Sequence, residues 1–228
     1  MTDSNAFFAR LDEVVNAGWG RIKRGAFARH VGEHGVSSEL YRRTMIEVFH
    51  YTRHNSINQA VAAYRVPPER TKLLGFCYRH AGEELGHERM VVRDLEAAGL
   101  LDPAMLTAPP LAPTQALIGY LYYIALDKGA IPRLGYSYWA ESAYVHIGAM
   151  LSRARQDLDL NDRKMSFFVS HSDIDEKHAA EVRDVISEQV RTEEEQNAVI
   201  EVARTTLHMT GVMLEAIYET VVESASKH

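Results

Sequence analysis

One spacing occurs twice in this chain and restricts it more than any other feature. His171, Asp175 and His178 stand at i, i+4 and i+7, and so do His80, Glu84 and His87. In a helix of 3.6 residues per turn such a trio lies within about 60° of arc, on a single stripe. Two imidazoles and a carboxylate on one stripe can converge on a single borderline-hard cation. One stripe alone is weak evidence, because histidines and acids also share solvated faces. Two stripes in one helical chain, with carboxylates on other helices, make a metal centre the leading expectation.

The rest of the sequence is compatible with a helical globule. Its 228 residues, 46% apolar and 25% charged, suit one large domain, 1–228, with a substantial core. A net charge of −6 argues against nucleic acid as a partner. No apolar run reaches the ~20 residues that span a bilayer, so no membrane partner is expected. The N-terminus has no basic region ahead of an apolar core, and Cys77 is the single cysteine. A reducing, cytoplasmic setting follows as the default expectation, with a homodimer as the assembly to test. Histidine is the excess: seven of 11 fall between His50 and His178.

Strand signals are nearly absent, which predicts an all-α single-domain bundle. A short helix is expected over 3–17, broken by Gly18 and Gly20, with another over 26–33. Gly35, Ser37 and Ser38 form a stop followed by an N-cap, opening a helix to about 64. Pro67 and Pro68 end it and begin the next, to 98 and Gly99. Four prolines make 101–113 a connector. Helices over 114–127 and 134–157 follow, punctuated by Gly129 and Pro132. A helix over 162–170 is expected to kink near Asp173 before continuing to 190. The last, 192–224, opens with three glutamates that suit its macrodipole.

Bundle metal sites are built by side chains projecting inward from several helices. Glu84 and His87 form Glu-x-x-His, Asp175 and His178 form Asp-x-x-His, and Glu141 adds a carboxylate from a helix between them. With His171, these groups suffice for two divalent ions with positions left for O2 and substrate. Without metal, such clustered acids should shift upward in pKa. Mixed nitrogen and oxygen donors without thiolate suit iron, with manganese as the alternative.

The Glu-Glu-Leu-Gly-His-Glu stretch, Glu141, and His171-x-x-x-Asp175-x-x-His178 together resemble the haem-oxygenase-like di-metal oxidases and oxygenases. The Phe49-His50-Tyr51 segment is similar to a Tyr-His-Tyr run of their second helix. The resemblance spans about residues 40–190. It implies a haem-oxygenase-like fold of about seven helices, within the superfamily that includes TenA-like and PqqC-like proteins. It implies Fe(II)/Fe(III), two ions, with O2 as co-substrate and a small amino-acid-like or fatty-acid-like molecule as substrate. Its ligands would be Glu84, His87, Glu141, His171, Asp175 and His178, with Glu84, Glu141 and Asp175 catalytic. Glu47 is a candidate bridging carboxylate.

Blander roles are assigned beside these. Glu83 and Glu88 are expected to be solvated. His80 is placed as a group orienting a ligand or meeting substrate, and His50 and Tyr51 as pocket or core. His146, five residues after Glu141, should face elsewhere. Two further function classes stay open: a metal-independent TenA-like or PqqC-like enzyme, and a haem-binding protein using His30 or His34. The former needs a nucleophilic thiol near an acid, and only Cys77 is on offer.

Overall fold

The computed structural model describes residues 4–224, and the side chains of these except Ser4 and residues 171–176. Among the described residues there is no strand. The helices are α1 (Ser4–Arg24), α2 (Ala26–His34), α3 (Ser38–Thr52), α4 (Asn55–Ala63), α5 (Thr71–Glu83) and α6 (His87–Ala98). They continue with α7 (Pro103–Thr107), α8 (Ala112–Tyr123), α9 (Ala130–Ala140), α10 (Ala143–Asp157), α11 (Ser166–Gln189) and α12 (Glu193–Tyr218). Among the described residues no helix is long and apolar enough to cross a membrane.

The all-α expectation holds, with more helices than seven because three expected long helices are each interrupted. The breaks fall at Arg53–His54, Glu84–Gly86 and Glu141–Ser142, and all three adjoin the candidate site. Gly86 is the clearest: its φ of 94° is left-handed, so the chain turns there between α5 and α6. α11 continues without interruption through Asp173, where a kink was expected. That helix contains neither glycine nor proline, so an N-cap-type residue alone does not interrupt it. Pro132 lies in the first turn of α9, where amide donors are unused in any case, so α9 starts before 134. The connector also forms α7, started by Asp102, whose side chain accepts from Ala104 N.

Several caps hold these elements in place. Ser37 Oγ accepts from Leu40 N at the start of α3, and Thr192 forms a reciprocal capping box with Glu195 at the start of α12. Asp94 of α6 is fully buried and accepts from Ser166 N, Ser166 Oγ and Phe167 N at 2.6–2.9 Å. A buried anion on the positive end of α11 fixes that helix against α6.

The main core gathers α1, α4, α5, α8, α9, α11 and α12, and α9 packs closely along α12. Gly135 permits this: a Cβ there would collide with Val199 O and Ala203 N of α12. Trp139 donates to Thr206 Oγ1 at 2.8 Å one turn further on. Gly18, expected to break α1, lies within a continuous helix and leaves room for Leu207 of α12. A second core joins α3, α6 and the start of α11.

Gly135→Ala should therefore push α9 off α12, costing about 2–3 kcal/mol and lowering Tm by roughly 5–10 °C. Gly75→Ala, in α5 with open space around the added methyl, should instead stabilise by about 0.5–1 kcal/mol. Thermal melts of the two variants beside the parent protein check the contrast.

Candidate metal centre

His80 lies in the last turn of α5, and Glu84 is the residue at which that helix ends. Glu141 ends α9 in the same way, and α11 contributes His178. All four are buried. One donor atom from each lies within 4.8 Å of the others. Atoms bound at ~2.1 Å to one ion are separated by about 3–4 Å, so a small inward movement closes this set on a cation.

In this arrangement the imidazoles occupy the carboxylates. His80 Nε2 lies 3.1 Å from Glu141 Oε1, and His178 Nδ1 lies 3.4 Å from Glu141 Oε2. The far nitrogen of His178 faces Glu83 Oε2 at 3.5 Å, and Glu83 is exposed, as expected. His80 Nδ1 is buried without a hydrogen-bond partner. Two imidazoles and two carboxylates buried together fit a cation, and the two-nitrogen, two-oxygen donor set suits iron or manganese.

The charges are settled locally. Burial pushes the Glu141 carboxyl up, but hydrogen bonds from His178 and His80 outweigh it and hold the group down at about 2. Glu84 is likewise buried, opposed by Glu141, yet lowered by its bond to His87. The upward shift expected for clustered acids is therefore reversed by neighbouring imidazoles. His178 and His87 are raised in turn, each first by its carboxylate partner.

His87 stands with Nδ1 3.4 Å from Glu84 Oε1 and is outside the converging four. The turn at Gly86 breaks the helical register that would have kept it on the stripe of His80 and Glu84. His80, expected to orient a ligand or to meet substrate, stands among the four converging donors. The i, i+4 relation of His80 to Glu84, within one helical run, was the signal for it. The side chains of His171 and Asp175 lie outside the described residues.

Glu47 is not in this group. It accepts from Leu111 N and Thr114 Oγ1 and pairs with Arg43 at 2.6 Å, so its oxygens anchor α8 to α3. His50 is buried, bonded to the Met105 backbone and lowered to about 4 chiefly by burial. His146 faces away from the group, as expected, and stacks on Trp19. His30 packs against His34 and Tyr218. Cys77 is buried and its thiol is pushed up to about 11, which leaves no ready thiolate.

Glu84 and Glu141 open onto a cavity of about 110 Å3. Tyr51, Thr52, Asn55, Tyr136 and Tyr144 line it, and of these the sequence pattern gave no sign of Thr52, Asn55 or Tyr144. Tyr136 donates to Asn55 Oδ1 at 3.1 Å. Burial raises the pKa of Tyr136 and pushes Tyr51 up to about 12, so both phenols keep their protons.

A family described as iron-containing redox enzyme matches residues 42–211, more than half of the chain. Among solved structures, a domain of unknown function with a haem-oxygenase-like fold from Shewanella denitrificans is 35% identical. The match covers 97% of this chain and 96% of that one, with a TM-score of 0.90. A TenA homologue from Pseudomonas syringae pv. tomato is 15% identical, with a TM-score of 0.76 and 96% of each chain covered. A TenA homologue from Pyrococcus furiosus is 14% identical, with a TM-score of 0.73, covering 93% of this chain and 100% of that one. These two show the shared fold. No curated protein matches significantly.

The pH dependence of the metal-free protein follows from the pairs. Glu141, lowered to about 2, contributes stability that is present above its ordinary value and lost as pH falls towards 2. His178, raised, contributes stability that is full below ~6.5 and lost as pH rises through its folded value. The pH-dependent share of stability should peak between about pH 4.5 and 6.5 and flatten in Glu141→Gln. Urea unfolding of both metal-free proteins across pH 3–9 measures it.

Proposed function

The chain belongs to the family of iron-containing redox enzymes with a haem-oxygenase-like fold, and from that premise we propose that it is a non-haem iron oxidase or oxygenase. Its reaction would use O2 to oxidise a small organic molecule held beside Glu84 and Glu141. The observation carrying this is the buried four-residue donor group facing a cavity walled by neutral hydroxyl and amide groups.

His80, Glu84, Glu141 and His178 would hold the first ion, two carboxylates offsetting two of its charges. Bound there, iron would supply one-electron redox chemistry towards O2. A second ion would draw on His87, with His171 and Asp175 placed by their helical spacing on the stripe of His178. Tyr51, which keeps its proton, is suited to donate a hydrogen bond to a polar substrate atom, and Tyr136, whose proton goes to Asn55, is suited to accept one. Phe167, Phe168 and Ile147 on the cavity wall limit access of bulk water. Asn55 fixes the direction of the Tyr136 hydroxyl.

The metal set is tested by titrating metal-free protein with Fe(II) under anaerobic conditions. His80→Ala, Glu141→Ala and His178→Ala should each weaken the first binding event about 100-fold or more, since even outer partners of ligands cost 10–100-fold. His87→Ala, His171→Ala and Asp175→Ala should spare it and remove a second equivalent. Cys77→Ala should change neither iron uptake nor O2 consumption. Binding of one equivalent at most would reject the two-ion assignment. Fe(II) affinity unchanged in both His80→Ala and Glu141→Ala, or no substrate-stimulated O2 uptake by iron-loaded protein across amino, fatty and aromatic acids, would reject the proposed chemistry.

A further inference from the structure

Behind the polar cavity lies a second one of about 160 Å3. The two share Tyr51, Ala143, Ile147 and Phe168, so they meet across these side chains. The rest of its wall comes mainly from α1, α2, α3, α10 and α12 and carries no charged side chain. A carboxylate or ammonium placed in this chamber would find no counter-charge, which excludes ions from it.

Two of its residues carry unused donors. Trp19 Nε1 and Tyr41 Oη are buried without a hydrogen-bond partner, and both residues line the chamber. The Trp19 ring is held edge-on to Trp139 and flat against His146. The two threonines on the wall are satisfied: Thr44 donates to Leu40 O at 2.8 Å and Thr210 to Thr206 O at 3.0 Å. A buried donor left unmet costs about 1–3 kcal/mol, so an acceptor atom inside the chamber has a defined reward.

Size restricts the occupant further. An apolar cavity of about 150 Å3 takes up benzene, so this chamber matches one ring and not a long unbranched chain. We propose that it receives an uncharged single ring, or an equally compact hydrocarbon group, bearing an acceptor oxygen for Trp19 or Tyr41. The bond to be oxidised then lies in the adjoining cavity beside Glu84 and Glu141. Only this last placement rests on the iron-redox reading; occupancy of the chamber does not.

The test uses metal-free, full-length protein with acetophenone, ethylbenzene and dodecanoate as probes, followed by ligand-observed NMR titration. Acetophenone should bind about five-fold tighter than its near-isostere ethylbenzene, the value of one neutral hydrogen bond, and dodecanoate should not bind. Combined Trp19→Phe and Tyr41→Phe should equalise the two ring probes. Met150→Trp, filling the chamber, should abolish both; Ala154→Leu serves if that variant does not fold. Equal binding of the ring probes by the parent protein, preference for dodecanoate, or binding undiminished in a folded chamber-filling variant would each overturn the proposal. Iron uptake measured on the same preparations separates the two readings. Ring binding without iron uptake overturns the redox chemistry alone, and iron uptake without ring binding overturns the chamber alone.

Discussion

Two carboxylates buried side by side set the terms for this structure. Glu84 and Glu141 oppose one another in a region from which water is largely excluded, an arrangement that is costly unless positive charge is supplied. Imidazoles supply it: His178 on Glu141 and His87 on Glu84, each raised by its carboxylate partner, while His80 adds a hydrogen bond to Glu141. The same imidazole nitrogens are the atoms a metal ion would use, so proton and metal compete for one set of contacts. The carboxylates are thus partnered in either state, and the surrounding helices do not depend on metal alone to stay packed.

The interruptions in the helices serve the same group. A continuous helix presents a residue every 100° and would carry Glu84 and Glu141 within regular ladders. Here each acid is the residue at which a helix ends, Glu84 before the turn at Gly86 and Glu141 before Ser142. Breaks of this kind are common at functional sites because they re-aim a side chain without moving the scaffold. That scaffold is held by contacts outside the group: the close approach of α9 to α12 at Gly135, and Asp94 on the start of α11.

A second buried charge lies nearby on α9. Arg133 is 2% exposed, and its hydrogen-bond partners are the neutral groups Asn58, Gln59, Ser137 and the carbonyl of Asn55. Burial lowers its pKa, while the fields of Tyr136, Cys77, Glu84 and Glu141 oppose that shift. The guanidinium thus links α9 to α4 through amides and leaves the carboxylates to the histidines. Asn55 belongs to both sets, taking the Tyr136 hydroxyl on the cavity side.

The sequence by itself determined the helical class, the cap at Ser37, and the donor types, imidazole and carboxylate, that converge on one buried group. These are local properties: periodicity, capping chemistry and donor type are carried by neighbours within one or two turns. It also placed His146 apart from Glu141, although the angle it used assumed one helix where the structure has a break at Glu141–Ser142. Only the tertiary structure decided that His80 joins the converging donors while His87 pairs with Glu84. That choice depends on a turn at Gly86 that helical arithmetic does not contain. Glu47 shows the same limit, since an acid on an apolar helix gives no sign that Leu111 and Thr114, more than sixty residues away, will claim its oxygens. The polar cavity and the apolar chamber behind it likewise exist only where distant helices meet, and no local pattern encodes the space between them.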